Sequence, residues 1–189
     1  VRIKEDQTPV TAIDLKVESF LREELKEMAP SYSIISEEFQ DELKESDYTW
    51  VIDPLDGTIN YVRHVPVFAT MVALCEGENP VMGVVHFPVQ DETFFAEEGK
   101  GAFLDGEEIE VSDTPLEEGL GIYTSIFDDS RVWRAVSKTR RVFSERRAFG
   151  AAAMNLVKVA EGDAEACIEF GLKPWDFLPP AIIVGEAGG

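Results

Sequence analysis

The pattern of predicted secondary structure changes near Pro115, and this change limits the folds open to the chain. Before it, short apolar segments follow one another as predicted strands, at residues 67–74, 81–87, 93–96 and 109–111, with a hairpin turn signal at 104–107. After it, strand and helix patterns alternate as far as residue 187. Consecutive strands predict an antiparallel sheet, whereas alternation predicts a second layered unit. We therefore expect an α/β protein of the layered α+β type, with an antiparallel N-terminal sheet and a smaller mixed C-terminal sheet.

The change of pattern divides the chain into two predicted lobes, an N-terminal α+β lobe at residues 1–115 and a C-terminal α/β lobe at residues 116–189. The first lobe begins with an amphipathic helix from Thr11 to Met28, in which Thr11 and Asp14 have the spacing of a capping box. Strands at 33–35 and 48–52 follow, and each leads directly into acidic residues. The second lobe is predicted to contain strands at 121–125, near 146–149 and at 164–168, and helices at 131–139, 151–160 and 177–187.

The segment Trp50-Val-Ile-Asp-Pro-Leu-Asp-Gly-Thr58 places two carboxylates at the end of a predicted strand. Asp53 leaves the strand, Pro54 favours a turn and Asp56 follows three residues after Asp53, so both carboxylates can face one point. Gly57 lets the backbone approach a ligand closely. On its own, the same string of residues is more typical of a surface turn. The functional interpretation therefore depends on acidic residues elsewhere in the chain.

Two further acidic sites lie at the ends of predicted elements. Glu37 and Glu38 follow the strand at 33–35, and Asp176 precedes the helix at 177–187. Taken singly, loop glutamates are usually solvated, and an Asp before a helix is usually its N-cap. Taken together, carboxylates without a nearby His or Cys cluster are typical ligands of Mg²⁺, Mn²⁺ or Ca²⁺ rather than Zn²⁺.

The charge of the chain excludes several kinds of partner. It has 17 Lys and Arg against 37 Asp and Glu, for a net charge of −20, which predicts that it binds neither nucleic acid nor anionic membrane.

The longest nearly apolar run, at 65–75, is shorter than the ~18 residues of a membrane span. We see no signal-peptide pattern and expect a cytoplasmic protein. The sequence also lacks the EF-hand, P-loop and Asp-x-Asp-x-Thr phosphatase motifs.

The chain contains two ordered motifs, Trp50-Val-Ile-Asp-Pro-Leu-Asp-Gly-Thr-Ile-Asn60 and Lys173-Pro-Trp-Asp-Phe-Leu-Pro-Pro-Ala-Ile-Ile-Val-Gly-Glu-Ala-Gly-Gly189. They resemble the signatures of the inositol monophosphatase family of Mg²⁺-dependent sugar-phosphate phosphatases. Further matches, in the order of the family, lie at 8–14, 36–38, 99–103 and 149–153. The resemblance spans the whole chain and implies the sugar-phosphatase fold, with alternating helix and sheet layers. It also implies helix before residue 4 and strand–helix elements after Gly189, so the chain is expected to be a fragment that lacks terminal elements.

The resemblance implies a role for each residue of a metal-dependent site. The implied ligands of two or three Mg²⁺ ions, with Mn²⁺ as a substitute, are Glu37, Asp53, Asp56, Asp176 and the backbone carbonyl of Leu55. Asp14 and Thr58 are the implied pair that orients and deprotonates a metal-bound water. Backbone N–H groups of Gly57 and Thr58, at the start of a short helix, are implied to bind the phosphate. The implied contacts to the polyol are Gly150, Ala151, Ala152 and Glu169.

The function implied by the resemblance is hydrolysis of a small phosphorylated polyol or sugar. The leading substrate is inositol monophosphate, and the implied substrate range extends to fructose 1,6-bisphosphate. Both are expected to be hydrolysed by direct attack of a metal-activated water. Two alternatives within the family are a histidinol-phosphate phosphatase and a 3′(2′),5′-bisphosphate nucleotidase. A non-enzymatic alternative is a divalent-cation-binding regulatory module. Relatives are commonly homodimers, so a homodimer is the implied assembly.

Overall fold

The computed structural model describes residues 2–3, 9–123, 130–139 and 142–189. The helices in these ranges are α1 (Ala12–Met28), α2 (Thr58–Val62), α3 (Ser130–Thr139), α4 (Ala152–Ala160) and α5 (Pro174–Glu186). The strands are β1 (Arg2–Ile3), β2 (Pro9–Val10), β3 (Ser33–Ser36), β4 (Tyr48–Asp56), β5 (Ala69–Glu76), β6 (Asn79–Phe87), β7 (Glu92–Glu97), β8 (Ala102–Leu104), β9 (Glu107–Ile109), β10 (Leu120–Tyr123), β11 (Glu145–Arg147) and β12 (Ala166–Ile168).

A large sheet of seven strands, in the order β3-β4-β5-β6-β7-β8-β9, forms the centre of the molecule. The β3–β4 pair is parallel, and every later pair in this sheet is antiparallel. Short connections between successive strands favour antiparallel pairing, which explains the meander that the sequence predicts. The predicted α/β layered fold class is confirmed.

The smaller sheet has the order β11-β10-β12, and both of its described pairs are parallel. We expected a mixed sheet here, so this detail differs from the sequence prediction. The reason is that a helix lies between each strand and the next, α3 before β11 and α4 before β12, and such crossovers return the chain in the same direction. The last two residues of the strand predicted at 121–125 lie outside the described residues.

Helices cover both faces of the seven-stranded sheet. Along β5, buried Met71 faces the side on which α4 and α5 pack, with Ile183 of α5 in the same apolar cluster. The next residue, Val72, faces the opposite side and packs in the cluster that contains Leu25 of α1. Side chains alternate between the faces of a strand, so one strand contributes to two helix–sheet interfaces. The molecule therefore has alternating helix and sheet layers.

Helix α5 begins three residues before the predicted start at residue 177. Lys173 is the N-cap, Pro174 occupies the first turn, and Asp176 is the third helical residue rather than the N-cap. Proline suits the first turn because its fixed φ is helical and the missing N–H has no partner there anyway. The side chain of Asp176 accepts a hydrogen bond from the backbone N–H of Lys173 at 2.7 Å, so it still caps the helix.

Helix α5 approaches strand β6 so closely at Gly83 that a side chain has no room. A Cβ atom on Gly83 would lie 2.4 Å from the carbonyl oxygen of Pro179 and 2.5 Å from Cγ2 of Ile182. We expect Gly83→Ala to lower the free energy of unfolding by about 1–3 kcal/mol, because the helix must move away from the sheet. The melting temperature measures this loss. Gly185→Ala, where an added Cβ meets nothing within 4 Å, is the matched control and is expected to melt no lower than the original chain. Equal melting temperatures for the two variants would contradict the close packing.

The proposed lobe boundary at residue 115 falls between the two sheets. Helix α5 follows the second sheet in the chain but packs on strands β4 to β8 of the first. The division at 115 therefore stays a proposal about the two sheets. Within the described residues, none of the helices is both long and apolar enough to cross a bilayer.

Candidate active site

The carboxylate of Asp53 is buried at the end of strand β4. Its exposed fraction is 1%, and its Oδ1 accepts a hydrogen bond from the backbone N–H of Leu55 at 2.9 Å. The register between β4 and β5 shifts between Asp53 and Asp56, because Pro54 and Leu55 leave the regular ladder. The carbonyl of Pro54 instead accepts a hydrogen bond from the hydroxyl of Thr70 at 2.9 Å. The local sequence therefore bends the strand and fixes the first carboxylate beside the bend.

The carboxylate of Asp56 lies against the start of helix α4. Its two oxygens accept hydrogen bonds from the backbone N–H groups of Ala152 at 3.1 Å and Ala153 at 2.8 Å. The first N–H groups of a helix have no partner inside the helix, and the positive end of the helix dipole favours a negative charge there. Asp56 therefore connects β4 of the large sheet to the segment that carries the predicted polyol contacts.

Four carboxylates act on one another in this region. Burial raises the pKa of Asp53 well above its ordinary value, and the negative charges of Glu37, Asp56 and Asp176 raise it further. Burial likewise raises the pKa of Asp56 to about 7, against the lowering effect of its two backbone hydrogen bonds, with Asp176 and Glu37 adding to the rise. Glu37 and Asp176, which come from separate parts of the sequence, therefore lie within electrostatic range of both Asp53 and Asp56.

The donor set fits a hard divalent cation. It consists of carboxylate oxygens and the Leu55 carbonyl, which are the ligands that Mg²⁺ and Mn²⁺ prefer. In the part of the chain that the structure describes, no three Asp, Glu, His or Cys side chains are already arranged so that they could hold an ion. Hydrogen bonds to backbone N–H groups hold Asp53, Asp56 and Asp176, and each of these carboxylates keeps lone pairs for an ion. A cation would offset the repulsion that raises their pKa values.

This repulsion predicts a pH-dependent stability of the metal-free protein. The pKa of Asp56 in the folded state, about 7, lies above its ordinary value of 3.8, so the folded chain binds more protons than the unfolded chain between these values. The contribution of Asp56 to stability is therefore greatest below this window and is lost as the pH rises through it. With a chelator present, we expect the melting temperature to fall by about 3–6 °C between about pH 6 and pH 8.

The control for this prediction is the same measurement with saturating Mg²⁺. The ion should raise the melting temperature more at about pH 8 than at pH 6, because it offsets a charge that is fully present only at the higher pH. A chelated protein that melts at the same temperature across this range would contradict the mutual repulsion of the carboxylates.

The hydroxyl of Thr58 lies between the carboxylate of Asp14 and the carbonyl of Leu55. The Thr58 hydroxyl lies 3.0 Å from the carbonyl oxygen of Leu55 and 3.4 Å from Oδ1 of Asp14. Asp14 is fully buried, and its Oδ2 accepts hydrogen bonds from both the backbone N–H and the hydroxyl of Thr11. The predicted capping box at the start of α1 is confirmed, and it holds the Asp14 carboxylate towards Thr58.

Gly57 joins strand β4 to helix α2 in a conformation that other residues rarely adopt. Its φ is +81°, and an added Cβ would lie 2.9 Å from the carbonyl oxygen of Val67 and 3.1 Å from Cβ of Ala151. Only glycine fits such a position without strain. The predicted phosphate contacts Gly57 and Thr58 therefore lie directly beside the segment with the predicted polyol contacts.

Three of the predicted polyol contacts lie at the start of helix α4, and the fourth, Glu169, follows strand β12. Ala151 and Ala152 are buried, Gly150 has a φ of +76°, and the N–H of Ala152 is already bonded to Asp56. The carboxylate of Glu169, which follows strand β12, accepts a hydrogen bond from the side chain of Asn155. The structure thus places Glu169 near the start of α4, and its role stays a prediction.

Two asparagines that were not predicted as site residues hold the backbone at Phe149. The Nδ2 of Asn60 donates hydrogen bonds to the carbonyls of Val67 at 2.8 Å and Phe149 at 2.9 Å. The Oδ1 of Asn155, which is 2% exposed, accepts the N–H of Phe149 at 3.1 Å. The signals were present in the sequence, since Asn60 ends the first motif and Asn155 interrupts the apolar residues of α4.

Comparison with known proteins places the chain in a family. The model of the "Inositol monophosphatase family" matches residues 2–189. The chain is 38% identical over 183 residues to a fructose-1,6-bisphosphatase/inositol-1-monophosphatase of Thermotoga maritima, covering 95% of this chain and 69% of the relative. It is 35% identical over 194 residues to human inositol monophosphatase 1, again covering 95% of this chain and 69% of the relative.

Solved structures agree with this placement. The structure of an IMPase of Thermotoga maritima matches with a TM-score of 0.89 and 36% identity, over 98% of this chain and 72% of that one. The extragenic suppressor protein suhB of Bartonella henselae matches with a TM-score of 0.90 and 32% identity, over 96% of this chain and 73% of that one. The sequence match therefore extends to the arrangement of helices and sheets. This chain belongs to the inositol monophosphatase family.

Proposed function

We propose that this chain hydrolyses phosphate monoesters of small polyols or sugars, with inositol monophosphate as the leading substrate and Mg²⁺ as the cofactor. The observation that supports the proposal is the electrostatic effect of Glu37 and Asp176 on both Asp53 and Asp56, whose pKa values they raise. Similarity to relatives named inositol monophosphatase and fructose-1,6-bisphosphatase supports the phosphatase activity and the breadth towards fructose 1,6-bisphosphate.

The proposed metal ligands are Glu37, Asp53, Asp56, Asp176 and the Leu55 carbonyl, which together suit two or three Mg²⁺ ions, with Mn²⁺ as a substitute. When bound, Mg²⁺ supplies the charge that neutralises phosphate oxygens and lowers the pKa of a water molecule. The net charge of −20 and the carboxylates around Asp53 repel a phosphate dianion, and bound Mg²⁺ would offset this repulsion.

The proton relay that we propose runs from water through Thr58 to Asp14. Thr58 Oγ1 accepts a proton from the attacking water as the Thr58 hydroxyl proton moves to the Asp14 carboxylate 3.4 Å away. The Leu55 carbonyl, 3.0 Å from Thr58 Oγ1, holds the hydroxyl until the water is in place. The water attacks phosphorus directly, so the reaction forms no phosphoenzyme.

The rest of the site binds the substrate. The backbone N–H groups of Gly57 and Thr58 are proposed phosphate contacts, because Gly57 leaves the backbone there open to close approach. Gly150, Ala151, Ala152 and Glu169 are proposed to face the polyol. The N–H of Ala152 is bonded to Asp56, so we assign its contact to its methyl group or carbonyl rather than to its N–H.

The experiment that tests the function measures phosphate release from four substrates, each with Mg²⁺ and with a chelator. The substrates are inositol 1-phosphate, fructose 1,6-bisphosphate, histidinol phosphate and adenosine 3′,5′-bisphosphate. We expect chelator-sensitive release that is fastest with inositol 1-phosphate. A faster rate with either of the last two would favour the corresponding alternative in the family. Mg²⁺ binding without release from any of them would favour a cation-binding regulatory module instead.

Two further properties stay proposals: a homodimer, which the family resemblance implies, and a cytoplasmic location. We propose that the chain acts as a homodimer, which sedimentation of the purified protein would test. We also keep the cytoplasmic location as a proposal, which imaging of the tagged protein would test. Neither proposal affects the roles that we assign to the residues of the site.

A further inference from the structure

Glu18 of helix α1 is a buried carboxylate that the proposed reaction does not use. Its exposed fraction is 0%, and it accepts hydrogen bonds from the backbone N–H groups of Glu38 at 2.9 Å and Phe39 at 3.0 Å. These two amides directly follow Glu37, one of the proposed metal ligands. Glu18 therefore holds the backbone of the loop that carries this ligand.

Arg22, one helical turn after Glu18, holds the same loop at further points. Its Nε lies 3.1 Å from the Glu18 carboxylate. Its other nitrogens donate hydrogen bonds to the hydroxyl of Ser36, the carbonyl of Gln40 and the carboxylate of Glu42, each at 2.8 Å. The Glu18–Arg22 pair thus contacts the chain both before and after Glu37.

The buried negative charge of Glu18 is compensated by Arg22 and by backbone N–H groups. A buried carboxylate is costly unless ion pairs and hydrogen bonds compensate it, and Glu18 has both. Hydrogen bonds that involve a charged group are stronger than neutral ones, so the loop is held firmly even without a bound ion. The N–H of Glu37 also donates to the carbonyl of Ile52, at 3.3 Å, next to Asp53. Fixing this loop therefore fixes Glu37 relative to the acidic end of β4.

We propose that Glu18, together with Arg22, is a positioning residue that fixes Glu37 for binding of the divalent cation. The proposal rests on the proposed function in one respect, which is that Glu37 is a metal ligand. Glu18 acts through the loop backbone and not on the reacting atoms. Residues that orient metal ligands typically change metal affinity by about 10–100-fold when they are replaced.

The test compares Glu18→Gln with the original chain. We expect the dissociation constant for Mg²⁺, measured by calorimetry, to rise about 10-fold or more, because the neutral amide releases the loop. At saturating Mg²⁺, kcat should remain within about 3-fold, because the ligands themselves are intact. In a chelator, hydrogen exchange at the amides of Glu38 and Phe39 should be faster by about 10-fold, since their acceptor is weakened. Glu24→Gln, at an exposed position of the same helix, is the matched control and should change none of these.

A second variant covers the case in which Glu18→Gln does not fold. Glu42 pairs with both Arg22 and Lys26 at the outer end of the network, and its side chain is 37% exposed. Glu42→Gln removes this outer contact without leaving a buried charge unpaired. We expect it to weaken Mg²⁺ binding about 3-fold in the same direction, with kcat again preserved at saturating Mg²⁺.

The outcomes separate this proposal from the proposed function. Unchanged Mg²⁺ affinity in the folded variants, with an active original chain, would overturn the positioning role and leave the function standing. A large loss of kcat at saturating Mg²⁺ with unchanged affinity would also overturn it. If the original chain binds Mg²⁺ but releases no phosphate, the function fails, while binding and amide exchange still decide the role of Glu18. An original chain that binds no Mg²⁺ would overturn both.

Discussion

Replacing Asp53 by Asn should reduce Mg²⁺-dependent phosphate release by roughly 1,000-fold or more, because it removes a buried charge from the centre of the proposed ligand set. Asn has nearly the same shape and can still accept the hydrogen bond from Leu55, so the bend in β4 should survive. The measurement is the initial rate of phosphate release across a Mg²⁺ titration. Asp47→Asn, an exposed residue before β4, is the matched control and should release phosphate at the original rate.

Although Asp53→Asn should lose activity, it should not lose stability in the absence of metal. Burial and three neighbouring carboxylates raise the pKa of Asp53, so its negative charge destabilises the metal-free fold. In a chelator at about pH 8, Asp53→Asn is therefore expected to melt at or above the temperature of the original chain. Mg²⁺ should raise the melting temperature of Asp53→Asn by less than it raises that of the original chain. Near-normal turnover, or a Mg²⁺-dependent gain in melting temperature equal to that of the original chain, would remove Asp53 from the ligand set.

Replacing Thr58 by Ala should lower kcat by about 100–1,000-fold while leaving Mg²⁺ affinity nearly unchanged. The hydroxyl is the group within reach of both Asp14 and the Leu55 carbonyl, and alanine cannot accept or pass a proton. The metal ligands do not include this side chain, so binding of the ion should persist. Phosphate release at saturating substrate and Mg²⁺ calorimetry measure the two quantities separately.

The conservative variant Thr58→Ser provides the control for the relay. Serine keeps the hydroxyl and lacks only the methyl group, so we expect it to retain kcat to within about 10-fold. A Thr58→Ser variant as inactive as Thr58→Ala would indicate that the methyl group and its packing matter rather than proton transfer. Full activity in Thr58→Ala would exclude Thr58 from the relay.

The fold class could be predicted because its causes are local. Alternating apolar residues along β5 and β6 predict strands, and the 3.6-residue period of α1 predicts a helix with its cap at Thr11. The limits of elements were less predictable. The start of α5 was misplaced because Pro174 is compatible with either a turn or a first helical turn. The small sheet was wrongly predicted to be mixed, although the helices predicted between its strands already indicated crossovers, which make neighbouring strands parallel.

For the site, the candidate metal ligands could be predicted from the sequence, but the residues that hold them in place could not. The acidic residues at the ends of β3 and β4 and at α5 are visible as motifs, and their spacing suggests a metal site. Glu18 belongs to no motif and resembles an ordinary polar residue of a helix. Its burial and its partners, the amides of Glu38 and Phe39, appear only when distant segments meet.

By itself, the sequence determined the kinds of elements, the acidic chemistry and the family, because these depend on residue type and on spacing along the chain. Only the tertiary structure decided which carboxylates meet. Asp56 and the start of α4 are 96 residues apart in the chain, yet their hydrogen bond is 3.1 Å long. The physical reason is that packing of α1 and α5 on opposite faces of one sheet brings remote acidic residues close to the buried carboxylate of Asp53. There, burial and mutual repulsion change the pKa of Asp53 and Asp56 in a way that no local pattern encodes.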